Sequence, residues 1–245
     1  MAFFFCAAVF GLRAQDVSPT GPEAGRELAE SLRSMRPAED FKWSGVLKIA
    51  GRGHPIPPVL VQCETKTNKT NWSVTYWTAA TPTAGAEKLV VIFSPDGPTQ
   101  YKYARASKPG DSLPEAKNLT GAEADIPLGG SDFWLSDLGF EFYQWPDQVR
   151  LPGQMRRGQP CNVLESRNPH PEPGGYSLVR TWIEKESGQP LQAEAYGADK
   201  KLLKEFELGS VVKINGHYEV KDLKMINDKT DSRTSLNFDL DKEKK

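Results

Sequence analysis

The stretch from Tyr176 to Leu240 constrains the fold most, because apolar and polar residues alternate there between turn-forming pairs. Alternation with a period of two is typical of a β-strand with one buried face. Asn215-Gly216 supplies the two residues tolerant of positive φ that a two-residue hairpin turn requires. The stretch therefore predicts a run of antiparallel strands. The residues expected on buried strand faces are Leu202, Phe206, Leu208, Leu236, Phe238 and Leu240.

Shorter alternating segments extend this β pattern toward the N terminus. The predicted strands are Phe41–Ala50, Val59–Thr67, Trp72–Thr78, Lys88–Phe93, Gln100–Arg105 and Cys161–Arg167. The six Trp, seven Tyr and eleven Phe residues favour strands over helices. Lys108–Ala124 is polar and rich in turn formers, so we expect a surface loop there. A chain of 245 residues fits one α+β domain of mainly antiparallel sheet.

One amphipathic helix is expected before the first strand. Between Glu23 and Met35, apolar side chains recur at spacings of three and four, which places them on one helix face. Pro22 suits the first turn, and Pro37 ends the helix. Two arrangements fit this pattern: a lid across the sheet, or a plug at the end of a barrel.

The most aromatic segment runs from Gly129 to Trp145. We expect a short helix there that ends at Leu138, with Ser131 or Asp132 as its cap, since either side chain can accept a free backbone N–H. Asp132, Asp137 and Glu141 form the one suggestive group of carboxylates in the sequence. Two carboxylates can divide acid and base roles in glycoside hydrolysis, but a helix cap, a helix-end residue and a strand-edge charge explain them more simply.

The apolar run Met1–Ala14 has the length of a signal peptide, and residues 15–245 are then expected to form one domain. The run has no basic residue at its start, so we expect the natural start upstream. Without Cys6, the cysteines left are Cys63 and Cys161. In an exported protein they either form a disulfide or remain as two buried thiols in separate strands.

Composition and motifs exclude several classes of function. The formal charge of −1 gives nothing that would steer the protein to nucleic acid. The three histidines, His54, His170 and His217, have no metal-ligand spacing, so neither a metal site nor a cofactor is expected. The chain has no nucleophile elbow, phosphate loop or dinucleotide fingerprint, so no enzymatic activity is expected. The charged run Asp199–Glu207 is expected to be a solvated strand face and turn.

Three segments resemble the LolA-like outer-membrane lipoprotein-sorting family. RTWIEKESGQPLQAEAYGADKKLLKEFEL (180–208) and INGHYEVKDLKMINDKTDSRTSL (214–236) resemble its C-terminal strands and turns, and GGSDFWLSDL (129–138) resembles its Ser-Asp-Phe-x-x-x-Asp-Leu segment. The resemblance covers the second half of the chain well and the first half by pattern. Carried over with architectural roles are Ser131, Asp132, Phe133, Asp137 and Leu138.

This resemblance implies an unclosed β-barrel covered by short helices, located in the periplasm. It also implies a monomeric carrier of lipid acyl chains or lipoprotein anchors that works with membrane proteins of the envelope. A cavity lined by apolar side chains holds an acyl chain without any reactive group, at about 0.8 kcal/mol per buried CH₂. The candidates for the cavity lining are Trp43, Leu47, Trp72, Trp77, Phe93, Phe133, Trp134, Phe140 and Trp182.

Two alternatives to a lipid carrier remain. The first is an envelope interaction protein with a filled barrel, which docks partners through an edge of its sheet. The second is an envelope hydrolase that uses Asp132, Asp137 and Glu141. An apolar cavity favours the carrier, a packed barrel favours the interaction protein, and carboxylates that converge in a polar cleft favour the hydrolase.

Overall fold

A computed structural model describes residues 19–51, 53, 56–94, 97–209, 211–214 and 217–239. The expected signal peptide with Cys6, the turn pair Asn215-Gly216, His54 and the chain from Leu240 onward lie outside the described residues.

The described residues form two α-helices, three short 3₁₀ turns and a set of β-strands. The helices are α1 (Pro22–Ser34) and α2 (Leu135–Leu138). The 3₁₀ turns are Gly121–Ala124, Leu128–Gly130 and Glu141–Gln144. The strands are β1 (Phe41–Gly51), β2 (Val59–Thr67), β3 (Trp72–Thr78), β4 (Glu87–Phe93), β5 (Gln100–Arg105), β6 (Lys117–Leu119), β7 (Asp147–Arg156), β8 (Gln159–Arg167), β9 (Leu178–Glu184), β10 (Pro190–Tyr196), β11 (Leu202–Leu208), β12 (Val211–Ile214), β13 (His217–Val220), β14 (Asp222–Asn227) and β15 (Ser232–Asp239).

Among the described residues, thirteen strands form one antiparallel sheet in the order β6-β5-β4-β3-β2-β1-β15-β14-β11-β10-β9-β8-β7. Two meanders meet where β1 pairs with β15, with Leu47 opposite Leu236. The end strands β6 and β7 are not neighbours in this order, so the sheet is unclosed. The expected α+β fold with an unclosed barrel and short helices is therefore confirmed. The hairpin β12-β13 pairs separately.

The chain passes from one sheet edge to the other through residues 121–145, which we call the inner segment. It follows the edge strand β6 and precedes the opposite edge strand β7, so it crosses the inner face of the sheet. Leu128, Phe133 and Leu135 are each at most 1% exposed and pack with Leu47 and Leu89 of the sheet. The aromatic segment therefore fills the inside of the half-barrel, because burial of its apolar side chains is favourable.

Helix α1 forms as the periodicity predicts and packs against β7 and the inner segment. Pro22 occupies its first turn, and Ala24, Ala29 and Leu32 are buried. Gly25 lies so close to β7 that a Cβ there would be 2.5 Å from the carbonyl oxygen of Gln148. The helix is held at one end of the sheet by this close backbone contact.

Two local expectations were wrong. Lys108–Ala124 is not only a loop, because it contains the edge strand β6 and a 3₁₀ turn. Neither Ser131 nor Asp132 caps α2: the backbone N–H of Trp134 donates to Asp137 Oδ2 at 2.8 Å. Asp132 instead accepts hydrogen bonds from Ser232 (2.7 Å) and Thr234 (2.8 Å), far along the chain in β15. It therefore fastens the inner segment to the sheet.

Cys63 and Cys161 are both free and buried. Cys63 packs in the inner core, whereas Cys161 packs with Val163 and Trp182 in a separate small cluster. The disulfide alternative is therefore not realised, and the two thiols lie in separate strands. Burial raises the pKa of the Cys63 thiol well above its usual range, so this thiol is held in its protonated form.

Candidate functional site

A pocket of about 430 Å³ opens at the end of the sheet where β1 and β3 begin and β4 ends. We call it the mouth pocket. Its apolar walls come from the C-terminal end of α1 and from Phe41, Trp72, Phe93, Phe140 and Tyr143. Phe41 is 42% exposed, so an aromatic ring stands at the entrance in contact with water. An exposed apolar surface within a concavity is typical of a ligand site.

The floor of the mouth pocket is set by strand register. Trp72 begins β3 and Phe93 ends β4, and the two residues pair directly across the sheet. Their rings stack with centroids 3.8 Å apart and an interplanar angle of 11°. Directly opposite residues in an antiparallel pair bring their side chains together. The β3-β4 hairpin thus presents a flat aromatic surface to the pocket.

Among the described residues that line the mouth pocket, the charged side chains are those of Arg33 and Arg36. Arg33 donates to the backbone carbonyl of Tyr143 at 2.7 Å. Arg36 donates to the carbonyls of Asn68 and Lys69 in the turn between β2 and β3. Both guanidinium groups are therefore positioned by backbone oxygen atoms at the rim of an apolar cavity.

A second pocket, of about 260 Å³, lies between the inner segment and residues 168–176. We call it the acidic pocket, since Asp125, Asp137, Glu141 and Glu172 line it. Asp125 accepts a hydrogen bond from Ser136 at 2.6 Å, and Glu141 accepts one from the Tyr101 hydroxyl at 2.9 Å. Burial raises the pKa of both Asp125 and Glu141.

Replacing Glu141 with glutamine should raise the free energy of unfolding at pH 7. Burial raises the pKa of Glu141 above its ordinary 4.5, so the folded state holds this proton more tightly than the unfolded state does. Its stabilising contribution is present at low pH and is lost as the pH rises through the folded pKa. The amide carries no charge and still accepts the Tyr101 hydrogen bond.

Urea unfolding at pH 7 and pH 4.5 measures this effect. The increase in the free energy of unfolding caused by Glu141→Gln should be larger at pH 7 than at pH 4.5. Glu115→Gln, at an exposed position, should leave the free energy of unfolding unchanged at both pH values. A Glu141→Gln variant that is less stable at pH 7 would show that the carboxylate is needed as a charge.

The acidic pocket does not bring together the three carboxylates of the hydrolase alternative. Asp137 and Glu141 line the pocket, but Asp132 is not among its residues and is hydrogen bonded to β15. Asp137 forms an ion pair with Lys204 at 3.3 Å and accepts the Tyr176 hydroxyl at 3.0 Å. Its carboxylate is therefore engaged by structural partners.

Sequence reasoning missed Lys204, which was expected on a solvated face and is 3% exposed. Its ammonium lies 3.5 Å from the centroid of Trp134 and contacts the carboxylate of Asp137. A signal was present, since Lys204 has the same strand parity as Leu202 and Phe206. Strand alternation places it on the inner face, and the buried cation is accommodated by an aromatic ring and a carboxylate.

The structure distributes the nine cavity candidates over four environments. Trp72, Phe93 and Phe140 line the mouth pocket. Leu47 and Phe133 are 1% exposed within the inner core, and Trp43 packs at its margin against Phe238. Trp134 stacks on Tyr176 beneath Lys204. Trp77 and Trp182 each contact a cation, Lys88 and Arg156 respectively.

The residues carried over from the family resemblance, Ser131, Asp132, Phe133, Asp137 and Leu138, are all buried. Within the part of the chain that the structure describes, no three or more His, Cys, Asp or Glu side chains are arranged to hold a metal ion. None of the described helices combines the length and apolarity needed to cross a membrane.

A family model with the description "Uncharacterized protein" matches residues 111–242. No curated protein matches the chain by sequence.

Three solved structures share the fold. A DUF1329 family protein from Desulfovibrio piger is 16% identical with a TM-score of 0.68, and the match covers 88% of this chain and 90% of that one. A protein from Vibrio parahaemolyticus, provisionally described as an outer membrane lipoprotein-sorting protein domain, is 20% identical with a TM-score of 0.68 (89% and 91% covered). A LolA superfamily protein from Nitrosomonas europaea is 18% identical with a TM-score of 0.57 (89% and 91% covered). The LolA-like resemblance is thereby confirmed as a likeness of fold.

Proposed function

We propose that this chain uses its LolA-like fold to bind lipid acyl chains in the mouth pocket. The chain belongs to the family whose model matches residues 111–242. The observation that carries the proposal is the apolar, aromatic-walled cavity of about 430 Å³ at the open end of the half-barrel. In this role the protein is a carrier and not an enzyme.

The physical basis is transfer of apolar surface from water into the pocket. Each methylene group that enters contributes about 0.8 kcal/mol, so a chain of moderate length binds without any reactive side chain. The stacked rings of Trp72 and Phe93 face the pocket and present apolar surface to such a chain.

The cellular part of the proposal follows from the fold and from residues 1–14. We propose that the protein acts as a monomer in the periplasm, where it receives acyl chains or lipoprotein anchors from one envelope membrane and delivers them to another. The Vibrio parahaemolyticus neighbour is described in terms of lipoprotein sorting, which supports this assignment. Membrane proteins of the envelope are the expected partners for loading and release.

A second candidate function is an envelope interaction protein that binds no lipid. The observation in its favour is the filled inner face: the inner segment packs on the sheet, and the void beside Phe206 and Met225 measures about 20 Å³. The edge strand β6, in which Lys117 and Asn118 are exposed, would then receive a partner strand.

Replacing Phe41 with aspartate should weaken acyl-chain binding by about tenfold or more, since it puts a charge at the apolar entrance and each factor of ten equals about 1.4 kcal/mol. Phe41 is 42% exposed, so stability should change little. Displacement of a fluorescent fatty acid measures the affinity.

Leu60→Asp is the matched control. Leu60 is 63% exposed on β2 and does not line the mouth pocket. The control should bind like the unmodified protein. If neither the unmodified protein nor the control takes up the probe, the carrier proposal is refuted and the interaction protein with a filled barrel becomes the favoured alternative.

A further inference from the structure

We infer that the mouth pocket selects a single-chain amphiphile with an anionic head, a free fatty acid, whose carboxylate is bound by Arg33 and Arg36. This inference rests on the proposed function, because it presupposes that an acyl chain enters the pocket. It adds the charge of the head group and the number of chains.

The surroundings of the two arginines favour an anionic head group. Among the described residues that line the pocket, none is acidic. Within the described part of the chain, neither Arg33 nor Arg36 forms an ion pair with a carboxylate, and their hydrogen bonds go to backbone carbonyls. The nearby carboxylate of Asp40 is occupied by Lys66 at 3.0 Å and by the backbone N–H of Thr67 at 2.7 Å. Within the described residues, therefore, no carboxylate pairs with either of these two positive charges.

The geometry suits a carboxylate. A guanidinium group carries five N–H donors, and backbone oxygens occupy one donor site of Arg33 and two of Arg36. The remaining donors are available for a ligand. Arginine pairs with carboxylates through two parallel, charge-assisted hydrogen bonds. Because the carbonyls hold both side chains at the rim, less conformational entropy is lost when the ligand binds.

The depth of the mouth pocket limits the ligand to a single acyl chain. Behind the mouth pocket the inner face is closed by the inner segment, and the void beside Ala193 and Met225 measures only about 20 Å³. The mouth pocket itself, at about 430 Å³, lies at the lower end of the roughly 300–1,000 Å³ typical of pockets for one small ligand. One acyl chain, with its head group at the rim, fits both the depth and the volume of the mouth pocket.

The test compares ligands that differ only in the head group: dodecanoate, 1-dodecanol and dodecylamine. Tryptophan fluorescence, with Trp72 in the pocket wall, or calorimetry measures each affinity at pH 8 and low salt. Dodecanoate should bind about tenfold more tightly than dodecanol, dodecylamine should bind most weakly, and salt should reduce the differences.

The variant Arg33→Met/Arg36→Met should lose the preference for dodecanoate and still bind dodecanol, which shows that its pocket is intact. Arg26→Met, on the exposed face of α1, should keep the preference. Equal binding of acid and alcohol, or a preference that survives in the double variant, overturns the inference and leaves the proposed function standing. Tighter binding of two-chain phosphatidylglycerol than of dodecanoate overturns it as well. Binding of none of these ligands overturns both proposals.

Discussion

Replacing Lys204 with methionine should lower the free energy of unfolding by about 3 kcal/mol or more, because it leaves the buried carboxylate of Asp137 without its cation. The side chains of Lys204 and Asp137 are 4% and 7% exposed, so water compensates for little of this loss. The ammonium also lies over the ring of Trp134, and that contact is lost too. Urea unfolding measures the change.

The double variant Lys204→Met/Asp137→Asn should recover much of that loss. Without a charge at position 137, neither half of this ion pair is left as an unpaired buried charge, and the amide oxygen still accepts the N–H of Trp134. Lys201→Met is the matched control, since the Lys201 side chain is 81% exposed and its ion pair with Asp199 contributes little. A loss below about 1 kcal/mol for Lys204→Met would contradict a paired buried ion.

Replacing Gly25 with alanine should destabilise the protein by about 1–3 kcal/mol, although alanine is the better helix former. The new Cβ would lie 2.5–2.6 Å from backbone atoms of Gln148 and Val149, so α1 and β7 must move apart. The mouth pocket is built in part by the end of α1, so acyl-chain binding should weaken along with stability.

Thermal unfolding and the fatty-acid displacement assay together test the Gly25 prediction. Ser31→Ala is the control, because Ser31 lies on the exposed face of the same helix. This variant should have nearly the same melting temperature and fatty-acid affinity as the unmodified protein. A Gly25→Ala variant that is more stable would show that helix propensity outweighs the contact with β7.

Local patterns were enough to predict most strands and the helix. The bounds of β2, β3 and β5 agree with the alternation in the sequence, and α1 agrees with the three- and four-residue spacing. Strand β7 was missed because Leu151-Pro152-Gly153 interrupts its pattern, and the register there shifts between Leu151 and Gln154. A bulge and a proline remove the period-two signal on which the prediction depends.

The site was harder to predict, because its parts meet only through long-range contacts. Aromatic residues of the inner segment were counted as cavity lining, yet Phe133 fills the core, since Asp132 fastens this segment to β15. No pattern in the sequence pointed to a role for Arg33 and Arg36. They become significant only when the end of α1 is placed beside the Trp72–Phe93 pair. Nothing in the spacing of these residues reveals that neighbourhood.

The most direct test of the account is native mass spectrometry of the protein purified without detergent and then mixed with dodecanoate. We expect one bound fatty acid per chain, retained by Leu60→Asp and reduced in Phe41→Asp, since Phe41 lines the mouth pocket and Leu60 does not. A mass that stays ligand-free in all three proteins, with native folding confirmed by unfolding curves, would contradict the claim that this half-barrel binds acyl chains.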